Sequence, residues 1–256
     1  MSYNVLGDQF GEKMQLRENI QTSQSEALVP YTAFLSQFKT APPGKLFCLH
    51  GDRSVFRLSL YAASHALLAG VPIALVDGTN RFDAYYIADF ARRVTSFTKQ
   101  RVDPEQLLEN IFISRAFTCY QMEAAITERL PAFMKKQHAS VVIIFGLLDT
   151  FYDEQAPLFE VKASLQRIIA ALQQLKRQHF SVLLASLDMK LESKERNSLF
   201  LNLKSAMDEV FSVTAGENGQ RIVHEPFSNR RRESLLSNSQ SIPPNSGRIS
   251  HRTLNN

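Results

Sequence analysis

The sequence predicts an α/β domain in which a mostly parallel sheet is covered by helices on both faces and is followed by a C-terminal β-hairpin. Short apolar segments alternate along the chain with longer segments whose apolar residues recur at helical spacing. Near the end of this pattern, two strand-like segments flank an Asn218-Gly219 pair, which is typical of a hairpin turn. Apolar strands that alternate with helices form a parallel sheet buried on both faces.

Five segments have the composition of buried strands: LFCLHG, VPIALVDG, NIFISRAF, SVVIIFGLL and FSVLLASL. The segments between them are predicted to be helical. The first helix, RLSLYAASHALLAG, ends at Gly70, which is placed for a C-cap. The segment CYQMEAAITERLPAFMKKQ contains Pro131, which is expected to kink or end the helix. The helix LQRIIAALQQLKRQ carries an apolar stripe formed by Leu165, Ile168, Ile169, Leu172 and Leu175.

Composition limits the class of protein. The chain has 256 residues, of which 44% are hydrophobic, enough for one large domain or two small ones. No apolar run approaches the ~20 residues of a membrane span, and the N-terminus lacks the pattern of a secretory signal. We therefore expect no membrane association and a cytoplasmic location, or a nuclear one in a eukaryote. Two cysteines, Cys48 and Cys119, cannot form a metal cage and are expected to be reduced core residues.

The net charge of +4 lies in the last part of the chain. Residues 228–256 hold five arginines and one acidic residue, so the rest of the chain is neutral overall. This polar segment cannot bury much apolar surface, and we expect it to be disordered. We divide the chain into a polar N-terminal arm at 1–27, one domain at 28–227 and a basic tail at 228–256. In the tail, Arg230, Arg231 and Arg232 are candidate contacts to nucleic-acid phosphates, with a solubilising role as the alternative.

The segment FCLHGDRSVFRLSL has the layout of a phosphate-binding loop but lacks its residues. The full pattern is G-x-x-x-x-G-K-S/T. Counting from Gly51, the second glycine becomes Phe56, the lysine Arg57 and the hydroxyl Leu58. We expect no productive ATP hydrolysis and no cofactor, because Leu58 cannot hold Mg²⁺ and Phe56 is bulky where the backbone must wrap a phosphate. Weak anion or nucleotide binding at this degenerate loop would use Gly51, Ser54, Arg57 and Ser59.

Two segments resemble the RecA/RadA recombinase family. ENIFISRAFTCYQMEAAI is similar to the family's R-A-F/Y-x-x-x-Q stretch, and VDGTNRF is similar to its D-T-E-x-T-F segment. The order of segments is similar over about residues 28–226 and is shared with KaiC-type relatives. The resemblance implies a RecA-like fold without the family's catalytic groups. Asp77 and Phe82 match, but the position of the glutamate that activates water is Thr79, that of the Mg²⁺-associated aspartate is Gly146, and that of the sensor glutamine is Leu187.

The resemblance also indicates where the family's mobile DNA-binding loops would lie, at residues 149–159 and 188–201. The first is acidic, which suits a phosphate backbone poorly, and its Asp149 is not expected to take the place of the aspartate missing at position 146. The second supplies the candidate DNA contacts Lys190, Lys194 and Arg196, with a solvated helix start as the alternative interpretation.

With these losses, the resemblance implies a pseudo-ATPase: a noncatalytic RecA/RadA-like accessory protein in DNA recombination or repair. Its expected partner is a RecA/RadA-type recombinase or a paralogue, and single-stranded DNA is a second candidate ligand. Two alternatives stay open: a nucleotide-binding regulator of KaiC type with an unorthodox phosphate loop, and a protein scaffold unrelated to DNA. A hydrolase is not favoured, because no G-x-S-x-G nucleophile elbow is present. His50 is the one histidine predicted to lie near a cleft.

Overall fold

The computed structural model describes residues 34, 35, 38, 43–152, 156–189, 193–216 and 219–225. The predicted arm at 1–27 and the basic tail at 228–256 lie outside these residues, as do Lys190, Arg230, Arg231 and Arg232. The strands are β1 (Leu46–Gly51), β2 (Ile73–Asp77), β3 (Ile111–Arg115), β4 (Val141–Phe145), β5 (Ser181–Leu187), β6 (Glu209–Gly216) and β7 (Gly219–Glu225).

Seven α-helices are described. They are α1 (Ser54–Leu68), α2 (Ala84–Thr98), α3 (Pro104–Glu109), α4 (Cys119–Ala124), α5 (Leu130–Gln137), α6 (Leu158–Arg177) and α7 (Lys194–Ser205). A π-helical turn, Ala125–Arg129, lies between α4 and α5, and a 3₁₀ helix, Leu148–Phe151, follows β4. No helix in these described ranges has the length and apolar character needed to cross a membrane.

All seven strands join one sheet in the order β3-β2-β4-β5-β1-β6-β7. Neighbouring strands are parallel except for β6 and β7, which pair antiparallel as a hairpin. The predicted α/β class and the closing hairpin are therefore confirmed. Gly219 pairs with Gly216 as the first residue of β7, so the connection falls at 217–218, one position before the predicted Asn-Gly turn.

The sheet is covered on both faces because successive residues of each central strand point to opposite sides. Phe47 and Leu49 of β1 face the core formed with α1, α2 and α3. Leu46 and Cys48 of the same strand face the core formed with α4, α5, α6 and α7. The apolar stripe predicted for α6 packs into this second core, with Ile169 partly buried and the other four residues buried.

Local signals set several helix boundaries. After α1, Gly70 has φ +79° and donates its N–H to the Leu67 carbonyl at 2.9 Å, while the Val71 N–H reaches the Ala66 carbonyl at 3.0 Å. This pattern is the Schellman motif that the glycine predicts. Pro131 does not end its helix. The chain stays helical through the π turn just before it. Proline has no N–H to donate to the carbonyl four residues earlier, and the wider π turn accommodates this missing hydrogen bond.

Candidate functional site

The first strand and the first helix are joined by only two residues, Asp52 and Arg53, because α1 already begins at Ser54. Gly51 has φ +142°, and a side chain there would overlap the carbonyl oxygen of Val213 on the neighbouring strand β6. The glycine is therefore required by the close approach of two strands. The turn is too short to encircle a phosphate in the manner of the G-x-x-x-x-G-K-S/T loop.

Three backbone N–H groups at this turn and at the start of α1 already have partners within the protein. The Asp52 N–H donates to the Val213 carbonyl at 3.2 Å, and the Val55 N–H donates to the Asp52 carbonyl at 3.2 Å. The Ser54 N–H donates to Asp52 Oδ1 at 2.8 Å, and the Ser54 hydroxyl donates to the same oxygen. A carboxylate of the protein thus occupies the position at the helix N-terminus where a bound phosphate would accept hydrogen bonds.

The other loop positions point away from one another. Phe56 is buried and packs edge-on against Phe145, with ring centroids 5.2 Å apart. Ser59 is fully buried, and its hydroxyl donates to the Val55 carbonyl at 2.8 Å. Arg57 is exposed on the flank of α1 and lies over the ring of Tyr86. The structure therefore does not bring Arg57 and Ser59 together around one ligand, as the predicted weak nucleotide site requires.

The turn after β2 is built around Asp77, which is fully buried. Its carboxylate accepts hydrogen bonds from the N–H groups of Thr79 at 3.1 Å, Arg81 at 3.2 Å and Phe82 at 2.9 Å. An ionised carboxylate that accepts several backbone N–H groups holds a turn in one conformation. The two residues of VDGTNRF that match the recombinase pattern, Asp77 and Phe82, thus have a structural explanation within this turn.

The side-chain space at one of the missing catalytic positions, Gly146, is occupied by neighbouring loops. Gly146 has φ +59°, and a side chain at this position would overlap the Thr79 methyl group and come within 2.6 Å of Asp149 Oδ2. The expectation that Asp149 would lie elsewhere is wrong, because the 3₁₀ helix that follows β4 turns its carboxylate back to this place. Asp149 Oδ2 is buried and has no hydrogen-bond partner among the described residues, and burial raises the pKa of Asp149.

Arg196 was predicted to contact DNA but lies in the interior, with 7% of its surface exposed. Its guanidinium donates to the carbonyls of Phe151 at 2.7 Å and Ala156 at 2.8 Å. These two carbonyls flank the connection between the 3₁₀ helix and α6, so Arg196 holds this connection against α7. Lys194 is exposed in the first turn of α7, which agrees with the solvated helix start considered as the alternative.

A partly buried ion network beside α7 was not anticipated by the sequence. His50 Nδ1 lies 2.8 Å from Asp188 Oδ1, and His50 Nε2 lies 2.7 Å from Glu225 Oε1. The second oxygen of Glu225 lies 2.5 Å from Lys204 Nζ. Both ring nitrogens face carboxylates, and only the imidazolium can donate from both. The network joins β1, β7, α7 and the residue after β5.

The pKa shifts in this network follow from its hydrogen bonds. Burial lowers the pKa of His50, but the hydrogen bonds to Asp188 and Glu225 outweigh it, so the pKa lies above 6.5. Burial raises the pKa of Glu225, but the hydrogen bonds from His50 and Lys204 outweigh it and lower the pKa to about 2. The only sequence signal was a histidine near the end of a buried strand. Its partners come from positions 138 and 175 residues away.

Comparison with known proteins adds no family assignment: no family model matches the chain, and no curated protein matches it. The described ranges also contain no group of three or more His, Cys, Asp or Glu side chains placed to hold a metal ion.

Proposed function

We propose that the protein is a noncatalytic RecA/RadA-like accessory protein in DNA recombination or repair, which acts by binding a partner recombinase and contacts single-stranded DNA. The proposal combines the resemblance of SRAFTCYQ and VDGTNRF to the recombinase family with one structural observation. That observation is the filled phosphate position at the start of α1. There, the Asp52 carboxylate accepts from the Ser54 N–H, and the N–H groups of Asp52 and Val55 donate to backbone carbonyls.

The filled position supports a role in binding rather than in catalysis. Phosphoryl transfer depends on positioning the phosphates and neutralising their charge. At the corresponding places this chain has a carboxylate, Asp52, a buried aromatic ring, Phe56, and a glycine, Gly146, whose side-chain space is taken by Thr79 and approached by Asp149. A triphosphate at this turn would meet the Asp52 carboxylate at the helix start, and the loop positions hold neither the lysine nor the hydroxyl of the full pattern.

A surface for the partner is available at one of the two edges of the sheet. β3 and β7 are the terminal strands of the described sheet, and the outer hydrogen-bonding groups of β3 have no neighbouring strand among the described residues. Ile113 of this strand is 42% exposed. A groove of about 420 Å³ beside it is lined by Phe112, Leu130 and Phe133, among other residues. An exposed edge with adjoining apolar pockets suits an extended peptide segment that adds as a strand and inserts an apolar side chain.

The experiment compares two matched substitutions in a binding assay with a purified RecA/RadA-type recombinase. Ile113→Lys places a charge on the β3 edge, and Val223→Lys places one on β7, where Val223 is exposed to a similar extent, 40%. We expect the first to weaken binding at least tenfold and the second to leave it unchanged. Equal binding by both variants would contradict the role of the β3 edge. The absence of binding by the unsubstituted chain would contradict the recombinase partner.

A nucleotide assay separates this proposal from a KaiC-type regulator. A fluorescent ATP analogue with Mg²⁺ should show no binding tighter than about millimolar. Micromolar binding that is lost in Arg57→Ala would favour the regulator, and steady turnover of nucleoside triphosphate by the pure protein would end the proposal. Co-purification only with proteins outside DNA metabolism would favour the scaffold alternative.

A further inference from the structure

Arginine and tyrosine side chains form an exposed surface where α1 and α2 begin, at the carboxyl end of the sheet. We call this the Arg–Tyr surface and define it by Arg53, Arg57, Arg81, Tyr85 and Tyr86. Arg53 is the N-cap residue of α1 and has helical φ and ψ, so Arg57, four residues on, lies on the same side of the helix. Arg81 lies in the turn that leads to α2, and the two tyrosines are in the first turn of α2.

The two helices are joined here by stacking of arginine on tyrosine. The Arg57 guanidinium carbon lies 5.5 Å from the centroid of the Tyr86 ring, and that of Arg93 lies 5.9 Å from the same centroid. A guanidinium held over an aromatic ring is oriented but keeps its N–H donors available at its edge. Arg57 is thus positioned before any ligand arrives.

The positive charge of this surface is not neutralised locally. No carboxylate of the described residues lies within 4 Å of the guanidinium nitrogens of Arg53, Arg57 or Arg81, although the charge of Arg81 acts on the pKa of Asp149. The acidic residues nearby have other partners. Asp52 caps α1, Asp83 accepts from the N–H groups at the start of α2, and Asp89 pairs with Arg92 and Arg93.

Tyr85 is the most exposed of the large hydrophobic side chains in the described residues, at 84%. It directly precedes Tyr86, the residue on whose ring Arg57 stacks, in the first turn of α2. An exposed ring beside unpaired guanidinium groups matches single-stranded nucleic acid, whose bases stack on aromatic rings and whose phosphates bind arginine. An acidic peptide would use the arginines but has no need of the exposed ring.

We infer that the Arg–Tyr surface binds single-stranded nucleic acid, with phosphates on Arg53, Arg57 and Arg81 and a base stacked on Tyr85. The inference extends the DNA contact of the proposed function to a definite surface. That surface is distinct from the predicted loop at 188–201, where Arg196 is buried. The inference does not depend on the recombinase partner, so experiments can contradict either proposal without contradicting the other.

The test is fluorescence anisotropy of a labelled oligo(dT) with the full chain at several salt concentrations. Arg230, Arg231 and Arg232 are changed to glutamine throughout, to remove the contribution of the tail. Arg53→Gln/Arg57→Gln removes two phosphate contacts. The negative slope of the logarithm of the binding constant against the logarithm of the salt concentration should therefore become shallower by about 1.4. The matched control, Lys135→Gln/Lys136→Gln, removes two exposed charges from α5 and should leave the slope unchanged.

The stacked base is tested by Tyr85→Ala, which should weaken binding about fivefold or more, whereas Tyr85→Phe should retain the affinity. Phe159→Ala removes another exposed ring, on α6, as the control. The inference is overturned if the chain that carries only the three tail substitutions does not bind the oligonucleotide, or if the substitutions in the surface behave like their controls. It is also overturned if polyglutamate displaces the oligonucleotide as well as unlabelled oligo(dT) does. Recombinase binding by Arg53→Gln/Arg57→Gln, read separately, should be unchanged.

Discussion

Replacing Arg196 with methionine should lower the free energy of unfolding by about 3 kcal/mol. The substitution keeps most of the aliphatic volume but removes two hydrogen bonds of a buried cation, to the Phe151 carbonyl at 2.7 Å and the Ala156 carbonyl at 2.8 Å. Each buried carbonyl left without a donor costs about 1–3 kcal/mol, so two carbonyls at about 1.5 kcal/mol each give about 3 kcal/mol. Arg196→Lys should have an intermediate effect, because an ammonium lacks the planar fork that reaches both oxygens.

The assay is urea denaturation, with thermal melting as a second measurement. A loss of about 3 kcal/mol corresponds to a fall in Tm of roughly 6–12 °C for a domain of this size. The control is Arg177→Met, which removes an exposed arginine whose guanidinium, among the residues that the structure describes, bonds only the Gln174 side chain. It should change stability by less than about 0.5 kcal/mol. Under conditions in which the Arg196→Met protein is folded, the salt dependence of its oligonucleotide affinity should be the same as that of the unsubstituted chain. An unchanged unfolding curve together with weaker DNA binding would refute the structural role of Arg196.

Two further predictions concern the sites rebuilt at the carboxyl end of the sheet. The pKa of His50 is raised above 6.5 in the folded protein, so the stability it contributes is full below pH 6.5 and is lost as pH rises through the raised value. The difference in unfolding free energy between the unsubstituted chain and His50→Gln should therefore shrink from pH 6 to pH 9, and a constant difference would show that the imidazolium is not required. Gly146→Asp should lower the free energy of unfolding by about 2–4 kcal/mol, through backbone strain and overlap with Thr79. The control Gly70→Ala, at φ +79° with open space around it, should lower it by only about 1 kcal/mol. A rise in Tm of the Gly146→Asp protein on adding Mg²⁺ would contradict this reading of the site.

The order and type of the elements could be predicted because they depend on local pattern. LFCLHG and SVVIIFGLL are mostly apolar, which is typical of a strand or helix buried on all sides, and their short length favours strands. Gly70 is followed by the hydrogen-bond pattern that a C-cap glycine predicts. The π turn before Pro131 was beyond prediction, because several ways of accommodating a proline within a helix are locally equivalent and packing selects among them.

The candidate site was predicted less well, because its residues were judged by spacing alone. Spacing indicates that Phe56 and Leu58 do not suit a phosphate loop, since this depends only on residue size and chemistry. It could not show that Ser59 turns inward to bond the Val55 carbonyl, or that Arg57 stacks on a tyrosine 29 positions away. Nor could it show that Arg196, a residue type usually exposed, is buried against two backbone carbonyls.

From the sequence alone follow the α/β class, the alternation of strands and helices, and the absence of the residues that a triphosphate site requires, because each is a property of side-chain type and local period. The tertiary structure decides which charged groups meet. Asp149 returns to the space beside Gly146, His50 is held between two carboxylates, and Arg57 faces outward beside Tyr85 and Tyr86. These placements depend on segments distant in the chain that the folded sheet brings within hydrogen-bonding or stacking distance, and no local pattern encodes that proximity.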